Sequence, residues 1–174
     1  NLFIVENLKK LAKVVPILKL QIHQNDVSLI VKKNQLINVL SFFKNHVQYQ
    51  FKVLTCIAGV DYPVNIYRFK IVYELLSVRF NTRVRLKVFT HELMPIESAG
   101  KIFPAADWYE CEIWDMFGVF FDKHNNLTRL LTDYGFEGYP LRKDFPLTGF
   151  IEASYDYTRK RVTNERVELS QEYR

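Results

Sequence analysis

The sequence predicts an α+β fold with a mainly antiparallel sheet and flanking helices, followed by a long extended C-terminal arm. Segments with helical spacing of apolar residues alternate with runs rich in β-branched and aromatic residues, which is typical of that fold class. The periodicity ends at Gly118, and four of the six glycines lie from Gly118 to Gly149. We therefore divide the chain into a globular domain, residues 1–118, and a partner-binding arm, residues 119–174.

The first part of the chain is predicted to form a helix, a hairpin and a second helix. Apolar residues recur at helical spacing over residues 2–13, which indicates an amphipathic helix. Residues 17–22 alternate between apolar and polar, which predicts a strand paired with residues 27–31. Asn34 is the expected N-cap of the second helix. The buried face of that helix should carry Leu36, Val39, Leu40 and Phe43.

Three further strands and a third helix complete the predicted domain. The strands are expected at about 49–58, 66–78 and 82–90, where β-branched and aromatic residues are dense. The helix should begin between Pro104 and Asp107 and end at Gly118, because proline favours a first turn and glycine a C-terminal cap.

Two local features refine this prediction. Asp107 and Glu110 have the spacing of a capping box at the start of the third helix. Residues 152–157 and 161–167 should form a last hairpin, with its turn at 158–160.

Composition limits the functional classes. The net charge of +5 and pI near 9.1 are compatible with RNA, an anionic surface or an acidic protein, but the basic clusters are short. Cys56 and Cys111 are far apart and form neither a metal-binding nor a disulfide pattern, which favours a reducing compartment. No apolar run approaches the ~20 residues that a membrane-spanning helix needs.

Acidic residues of the third helix are the first candidates for catalysis or metal binding. A helix turns by about 100° per residue, so Glu112 and Asp115 should share a face, with Glu110 pointing elsewhere. We interpret Glu110 as a capping residue and the other two as ion-pair partners, since no histidine lies at ligand spacing on this helix. Metal binding is therefore not expected.

The segment after the third helix offers a second candidate pair. Asp122 and His124 could act as a base and its orienting group, although such a pair more often fixes a loop. Cys111 is predicted to be a small buried hydrophobic residue rather than a nucleophile. The sequence contains no nucleotide-binding, nucleophile-elbow or zinc-protease motif.

The run from Pro140 to Leu147 indicates protein binding. Arg142, Lys143 and Asp144 lie between apolar residues, and Pro140 and Pro146 hold their neighbours extended. Charges on a rigid, apolar segment are well placed to form specific ion pairs with another protein.

Two stretches resemble a known family. They are residues 107–119, DWYECEIWDMFGV, and residues 130–147, LLTDYGFEGYPLRKDFPL. Both are similar to the 30 kDa subunit of respiratory NADH:ubiquinone oxidoreductase, complex I, and the tail over 155–174 is similar as well. The residue usage, rich in Asn, Lys, Ile, Phe and Tyr, favours a mitochondrially encoded member.

The resemblance implies a hydrophilic core subunit of the peripheral arm, on the matrix side of the mitochondrial inner membrane. Such a subunit binds no cofactor itself, while the complex uses FMN, iron–sulfur clusters, NADH and ubiquinone. Its partners in a hetero-oligomer would be the quinone-site subunit (the 49 kDa class) and iron–sulfur subunits. The residues that we assign to this interface are Trp108, Glu112, Trp114, Asp115, Phe117, Arg129, Tyr139, Pro140, Leu141, Arg142, Lys143, Asp144 and Phe145.

Four positions depart from the family pattern. Cys111 replaces a usual arginine, Asn125 a usual proline after His124, Thr128 a basic residue, and Tyr139 a frequent histidine. These departures affect individual ion pairs but not the spacing of the motifs.

Two alternative functions remain open at this point. The net positive charge and the Tyr and Arg residues around 67–85 are compatible with an RNA-binding protein of an organellar ribosome. A hydrolase would instead use Glu112, Asp115 and His124.

Overall fold

The computed structural model describes residues 11, 14–24, 26–169 and 171. The predicted helix over residues 2–13 therefore lies outside the described residues, except for Leu11. Leu11 and Val15, two members of its apolar series, are buried in the core.

A five-stranded sheet lies at the centre of the fold. Its strands are β1 (Ile17–His23), β2 (Asp26–Val31), β3 (Val53–Asp61), β4 (Phe69–Ser77) and β5 (Thr82–Thr90), in the order β1-β2-β5-β4-β3. Neighbouring strands are antiparallel except for β2 and β5, which are parallel. The predicted α+β class and mainly antiparallel sheet are confirmed.

The two faces of the sheet differ because successive side chains of a strand point to opposite sides. In β5, Val84, Leu86 and Val88 are buried in the core, whereas the intervening Arg83, Arg85 and Lys87 are not buried. We call the side with Val84, Leu86 and Val88 the covered face, and the side with Arg83, Arg85 and Lys87 the open face.

Helix α1 (Leu36–Asn45) follows a 3-10 turn at Lys33–Gln35. Its four predicted core residues are all buried. The prediction for Asn34 was wrong, since Asn34 lies within the 3-10 turn and Gln35 occupies the N-cap position without a side-chain hydrogen bond. The preceding turn therefore sets the start of α1.

Helix α2 (Ala106–Phe117) begins inside the predicted range and ends at Gly118. Gly118 has a φ of 75°, and its N–H donates to the Trp114 carbonyl at 2.9 Å, which confirms it as the C-terminal cap. The predicted capping box was wrong. Ala105 is the N-cap, and the fully buried Glu110 accepts hydrogen bonds from Ser98 and Ala99 instead.

The remaining differences between the predicted and observed elements are the ends of strands and one additional short strand pair. Strand β3 begins at Val53, because a turn after α1 joins the Tyr49 N–H to the His46 carbonyl and the Phe51 N–H to the Phe43 carbonyl. A short parallel pair, β6 (Ile96–Glu97) with β7 (Phe121–Asp122), was not predicted, because two residues show no periodicity.

The arm begins inside the core and ends in a hairpin. Val119 and Phe121 are buried, so the core continues past residue 118. The predicted terminal hairpin is confirmed as β8 (Ile151–Asp156) paired with β9 (Arg161–Arg166). Over the described residues, no helix has the length and apolar character to cross a membrane.

Candidate functional site

Two buried carboxylates attach the arm to the globular domain. Asp115 in α2 binds the first half of the arm, and Asp61 at the end of β3 binds the second half. The side chains of both residues are fully shielded from solvent. We call them the Asp115 anchor and the Asp61 anchor.

The Asp115 anchor binds consecutive backbone groups of the arm. Its Oδ2 accepts hydrogen bonds from the N–H groups of Leu130, Leu131 and Thr132 at 3.1, 2.7 and 2.9 Å. Its Oδ1 accepts from the Thr132 hydroxyl at 2.7 Å and pairs with Arg129 Nη1 at 3.3 Å. The loop therefore closes around a single carboxylate.

The surroundings of Asp115 keep the carboxylate charged. Burial alone would raise the pKa, but the hydrogen bonds from Thr132 and from the Leu131 and Leu130 N–H groups outweigh it and hold the pKa of Asp115 below its usual range. A carboxylate in the last turn of a helix is unfavourable beside the negative end of the helix dipole. The donors of the arm offset that cost.

The Asp61 anchor combines an ion pair with a backbone hydrogen bond. Arg68 contacts Asp61 in a bidentate manner, with Nε–Oδ1 at 2.6 Å and Nη2–Oδ2 at 2.8 Å. The N–H of Lys143 donates to Asp61 Oδ2 at 2.9 Å, and Asp144 accepts from Arg68 Nη2 at 2.8 Å. The hydrogen bond from Arg68, against the opposing effect of burial, lowers the pKa of Asp61.

Arg142 joins the arm to the end of α2. Its Nε donates to the Phe117 carbonyl at 2.7 Å, and its Nη1 pairs with Glu92 at 3.0 Å. Its guanidinium lies 5.2 Å from the ring centroid of Phe69 and 4.4 Å from that of Tyr139. A cation at the C-terminal end of a helix is stabilised by the helix dipole, and the two aromatic rings add cation–π contacts.

Aromatic contacts join the arm to α2 and join parts of the arm to one another. Tyr139 packs edge-on against Trp114 at 5.9 Å between ring centroids, and Phe145 contacts Phe136 and Phe150 at 5.9 and 5.2 Å. These contacts and the two anchors hold the arm in a defined path without regular secondary structure.

The predicted interface residues have three different environments. Asp115 and Phe117 are buried, and Trp114, Tyr139, Pro140, Arg142 and Phe145 are half-buried against the domain or arm. The exposed members are Trp108, Glu112, Arg129, Leu141, Lys143 and Asp144. The ion pairs described for Asp115, Arg129, Arg142 and Asp144 are made within the chain. That these residues also contact a partner subunit stays a prediction.

The residues of the hydrolase alternative do not come together. Glu112 is exposed, Asp115 is buried in its anchor, and His124 lies near Asp107 and Glu110. Glu112 and Asp115 lie three residues apart on α2, but they differ in burial and do not form a paired-carboxylate site. The pairing of Asp122 with His124 was wrong, since Asp122 is exposed in β7 and no contact between the two is found among the described residues.

Sequence reasoning missed the contact between His124 and α2. His124 Nε2 lies 3.8 Å from Glu110 Oε2 and 3.9 Å from Asp107 Oδ1, a set of groups that could hold a metal ion. However, His124 Nδ1 accepts the Asn126 N–H at 3.1 Å, so the ring proton is on Nε2, which lies 3.2 Å from the Asp107 carbonyl. In this tautomer Nε2 has no free lone pair, and its hydrogen-bond contact is the Asp107 backbone carbonyl rather than either carboxylate.

Cys111 lies beside His124, with its sulfur 3.9 Å from His124 Nε2. It is 7% exposed, and its sulfur contacts the Asn126 carbonyl at 3.5 Å. The prediction of a small buried residue is confirmed.

Gly118 has no side chain, which allows the arm to pack closely against the end of α2. Comparing alanine substitutions at Gly118 and Gly135 should separate the effect of close packing from that of backbone strain. A Cβ at Gly118 would lie 2.6 Å from Arg142 Nη2 and 2.7 Å from the Tyr139 ring, whereas at Gly135, which also has a positive φ, no atom lies within 4 Å. Gly135→Ala should cost about 1 kcal/mol from strain alone, and Gly118→Ala about 1 kcal/mol more from overpacking. Urea unfolding of both variants measures the difference. Equal losses would mean that the arm does not pack closely against Gly118.

Comparison with known proteins places this geometry in one family. The family model for the respiratory-chain NADH dehydrogenase 30 Kd subunit matches residues 29–151. NADH-ubiquinone oxidoreductase subunit 9 of Reclinomonas americana is 51% identical over 151 residues, which cover 87% of this chain and 74% of that protein. NADH dehydrogenase [ubiquinone] iron-sulfur protein 3 of Patellifolia webbiana is 52% identical over 139 residues, covering 80% and 72%.

Solved structures agree with the fold. A trypsin-resistant fragment of Nqo5 (1-134) aligns with a TM-score of 0.62 at 21% identity, covering 71% of this chain and 98% of that one. The membrane-bound sulfane sulfur reductase, an archaeal respiratory membrane complex, aligns with a TM-score of 0.70 at 25% identity, covering 82% and 85%.

These relatives are respiratory proteins and do not support the RNA-binding alternative. The family match includes Asp61, Asp115 and the arm as far as residue 151, and the relatives at about 50% identity span most of the chain. The chain belongs to the 30 kDa subunit family of the respiratory-chain NADH dehydrogenase, complex I.

Proposed function

We propose that this chain is a structural subunit of the peripheral arm of complex I, and that its C-terminal arm binds the quinone-site subunit and neighbouring iron–sulfur subunits. In this proposal the chain holds no cofactor, and FMN and the iron–sulfur clusters belong to its partners. The assembly would lie on the matrix side of the mitochondrial inner membrane, as the resemblance and the residue usage suggest.

The observation that carries the proposal is the apolar surface of an anchored arm. Leu131, Tyr134 and Leu147 are 60%, 103% and 84% exposed, although the arm that carries them is held by backbone hydrogen bonds to Asp115 and by the Phe136–Phe145–Phe150 ring contacts. Exposed apolar side chains on an ordered segment are typical of surfaces that another protein covers.

The two anchors should increase the affinity of this surface for a partner, because they order the arm before binding. A segment that is already ordered loses little conformational freedom when a partner binds, so more of the contact free energy contributes to affinity. The Asp115 and Asp61 anchors thus act indirectly, by fixing the positions of the exposed residues.

The division into a domain and an arm is part of the same proposal. Val119 and Phe121 pack in the core, and Phe121 pairs with Ile96 in the β6–β7 ladder. We therefore place the functional boundary just after Asp122 rather than at residue 118.

Charged substitutions on the arm test the proposal. Leu131→Asp and Leu147→Asp should leave the isolated chain folded but prevent its incorporation into complex I, measured on a native gel stained for NADH dehydrogenase activity. Val78→Asp is the matched control, because Val78 is 70% exposed and lies in the turn after β4, at the opposite end of that strand from the Asp61 anchor. Normal incorporation of both arm variants would refute arm-mediated binding.

A further inference from the structure

The open face of the central sheet is a second candidate surface for protein binding, in addition to the arm. Several of its basic side chains lack an acidic partner among the described residues. Its middle is apolar, since Val72 and Ile30 are the direct neighbours of Lys87 on the adjacent strands, and Phe89 is the cross-strand neighbour of Lys70. Val72 is only 9% exposed, and Ile30 and Phe89 are half-buried. Among the described elements, the helices pack on the covered face and not on this one.

The charges on this face are strongly unequal. Lys70, Arg83, Arg85 and Lys87 lie on β4 and β5, and Glu74 is the single acidic residue of these two strands on the same face. Glu74 pairs with Arg85, and Asp26 at the start of β2 also approaches Arg85, at 3.8 Å. Within the described part of the chain, Lys70, Arg83 and Lys87 have no carboxylate within ion-pair distance.

The neutral contacts of the two lysines do not balance their charges. Lys87 Nζ donates to Gln21 Oε1 at 3.1 Å, and Lys70 Nζ donates to the Tyr62 hydroxyl at 2.6 Å. Burial, together with the nearby charges of Lys70 and Arg85, lowers the pKa of Lys87. The centre of the face thus has an uncompensated positive potential around an apolar patch.

A solvated sheet face would have a different composition. Antiparallel sheets can leave one face in water, but such a face is usually polar and mixes both signs of charge. An apolar centre surrounded by cations of one sign instead fits a covering element with an apolar stripe and carboxylates beside it. In α+β domains the layer that packs on a sheet is most often a helix.

We propose that the open face is a docking site for an acidic amphipathic helix of another subunit of the assembled complex. The apolar stripe of that helix would cover Val72, Ile30 and Phe89, and its carboxylates would pair with Lys70, Arg83 and Lys87. This inference rests on the proposed function to the extent that the chain joins a complex, but it uses a surface separate from the arm.

Lysine footprinting of the native complex tests this inference. The free full-length chain and the purified complex are treated with an amine-acetylating reagent, and the modified positions are determined by mass spectrometry. Lys70 and Lys87 should lose most of their reactivity on assembly, and a carbodiimide should couple them to Asp or Glu residues of a helix in another subunit. Lys52 and Lys101, exposed residues away from the open face, serve as reference positions.

The outcomes separate this inference from the proposed function. Lys143 is exposed on the arm, so its protection reports arm binding. Protection of Lys143 with full reactivity of Lys70 and Lys87 would overturn the docking site and leave the arm proposal intact. Protection of the two sheet lysines that disappears after ribonuclease treatment, or after removal of anionic lipid, would assign the face to nucleic acid or membrane and likewise overturn it. A chain absent from the complex would refute both.

Discussion

Asp115→Ala should lower the free energy of unfolding by about 3–5 kcal/mol, because several donors of the arm lose their shared, fully shielded acceptor at once. The N–H groups of Leu130, Leu131 and Thr132 would lose their contacts with the α2 carboxylate, and Arg129 would lose its ion pair. Alanine favours helix more than aspartate does, so the loss cannot come from α2 itself.

The structural consequence should be local to the first half of the arm. Backbone amides of residues 130–132 should exchange with deuterium faster in Asp115→Ala than in the unsubstituted chain, because their hydrogen bonds to the anchor are gone. Asp115→Asn should give a smaller loss, since the amide oxygen can still accept from the backbone while the Arg129 ion pair is lost.

Urea unfolding and hydrogen exchange together measure this effect. Glu112→Ala is the matched control, because Glu112 lies one turn away on the same helix and is exposed. A loss below about 1 kcal/mol, the size of a surface substitution or a single ordinary hydrogen bond, would mean that the arm does not depend on Asp115.

The sequence predicted the fold where local periodicity was strong. The alternating burial of β5 and the buried face of α1 follow directly from the pattern of apolar residues. The αL cap at Gly118 could also be predicted, because glycine tolerates the positive φ that ends α2.

The anchors could not be predicted in the same way, because they join residues that are distant in the chain. Asp61 and Arg68 meet across the turn between β3 and β4, and Lys143 reaches them from the arm. Neither Asp61 nor Arg68 belongs to a recognisable motif. The signal that could have indicated this ion pair was a carboxylate at the end of a strand, followed by a basic residue before the next strand.

Asp115 shows why a helical wheel is insufficient for charged residues. The wheel placed Asp115 with the exposed Glu112, but the arm later covers one side of α2 and buries Asp115 completely. Likewise, Arg142 lies in a segment that indicated contacts with a partner, yet its guanidinium bonds to the Phe117 carbonyl and to Glu92.

Arg68→Ala is expected to be as destabilising as Asp115→Ala, with a loss of about 3–5 kcal/mol at neutral pH, because it leaves a buried carboxylate without its counter-ion. The Asp61 side chain is fully shielded, and after the substitution only the Lys143 N–H would remain among the hydrogen bonds described for it. Asp144 would also lose its bond to Arg68 and become free to move with the arm.

The pH dependence of the loss identifies Asp61 as its cause. In the unsubstituted chain the pKa of Asp61 is lowered from 3.8, so its contribution to stability is present above that value and is lost as the pH falls through the folded-state pKa. In Arg68→Ala, burial without the Arg68 counter-ion should raise the pKa of Asp61, so acidification should relieve the cost of the buried charge. The difference in unfolding free energy between the two proteins should therefore shrink as the pH is lowered from neutral toward 3.8.

A double-substitution cycle completes the test of the Asp61 anchor. Asp61→Asn combined with Arg68→Ala should cost less than the sum of the two single changes, because the second change removes a charge that the first has left unpaired. Arg83→Ala is the control, since Arg83 is exposed on the open face and has no carboxylate partner among the described residues. Additive losses, or an equal loss in Arg83→Ala, would show that Arg68 contributes through general surface charge and that the second half of the arm is held by its aromatic contacts instead.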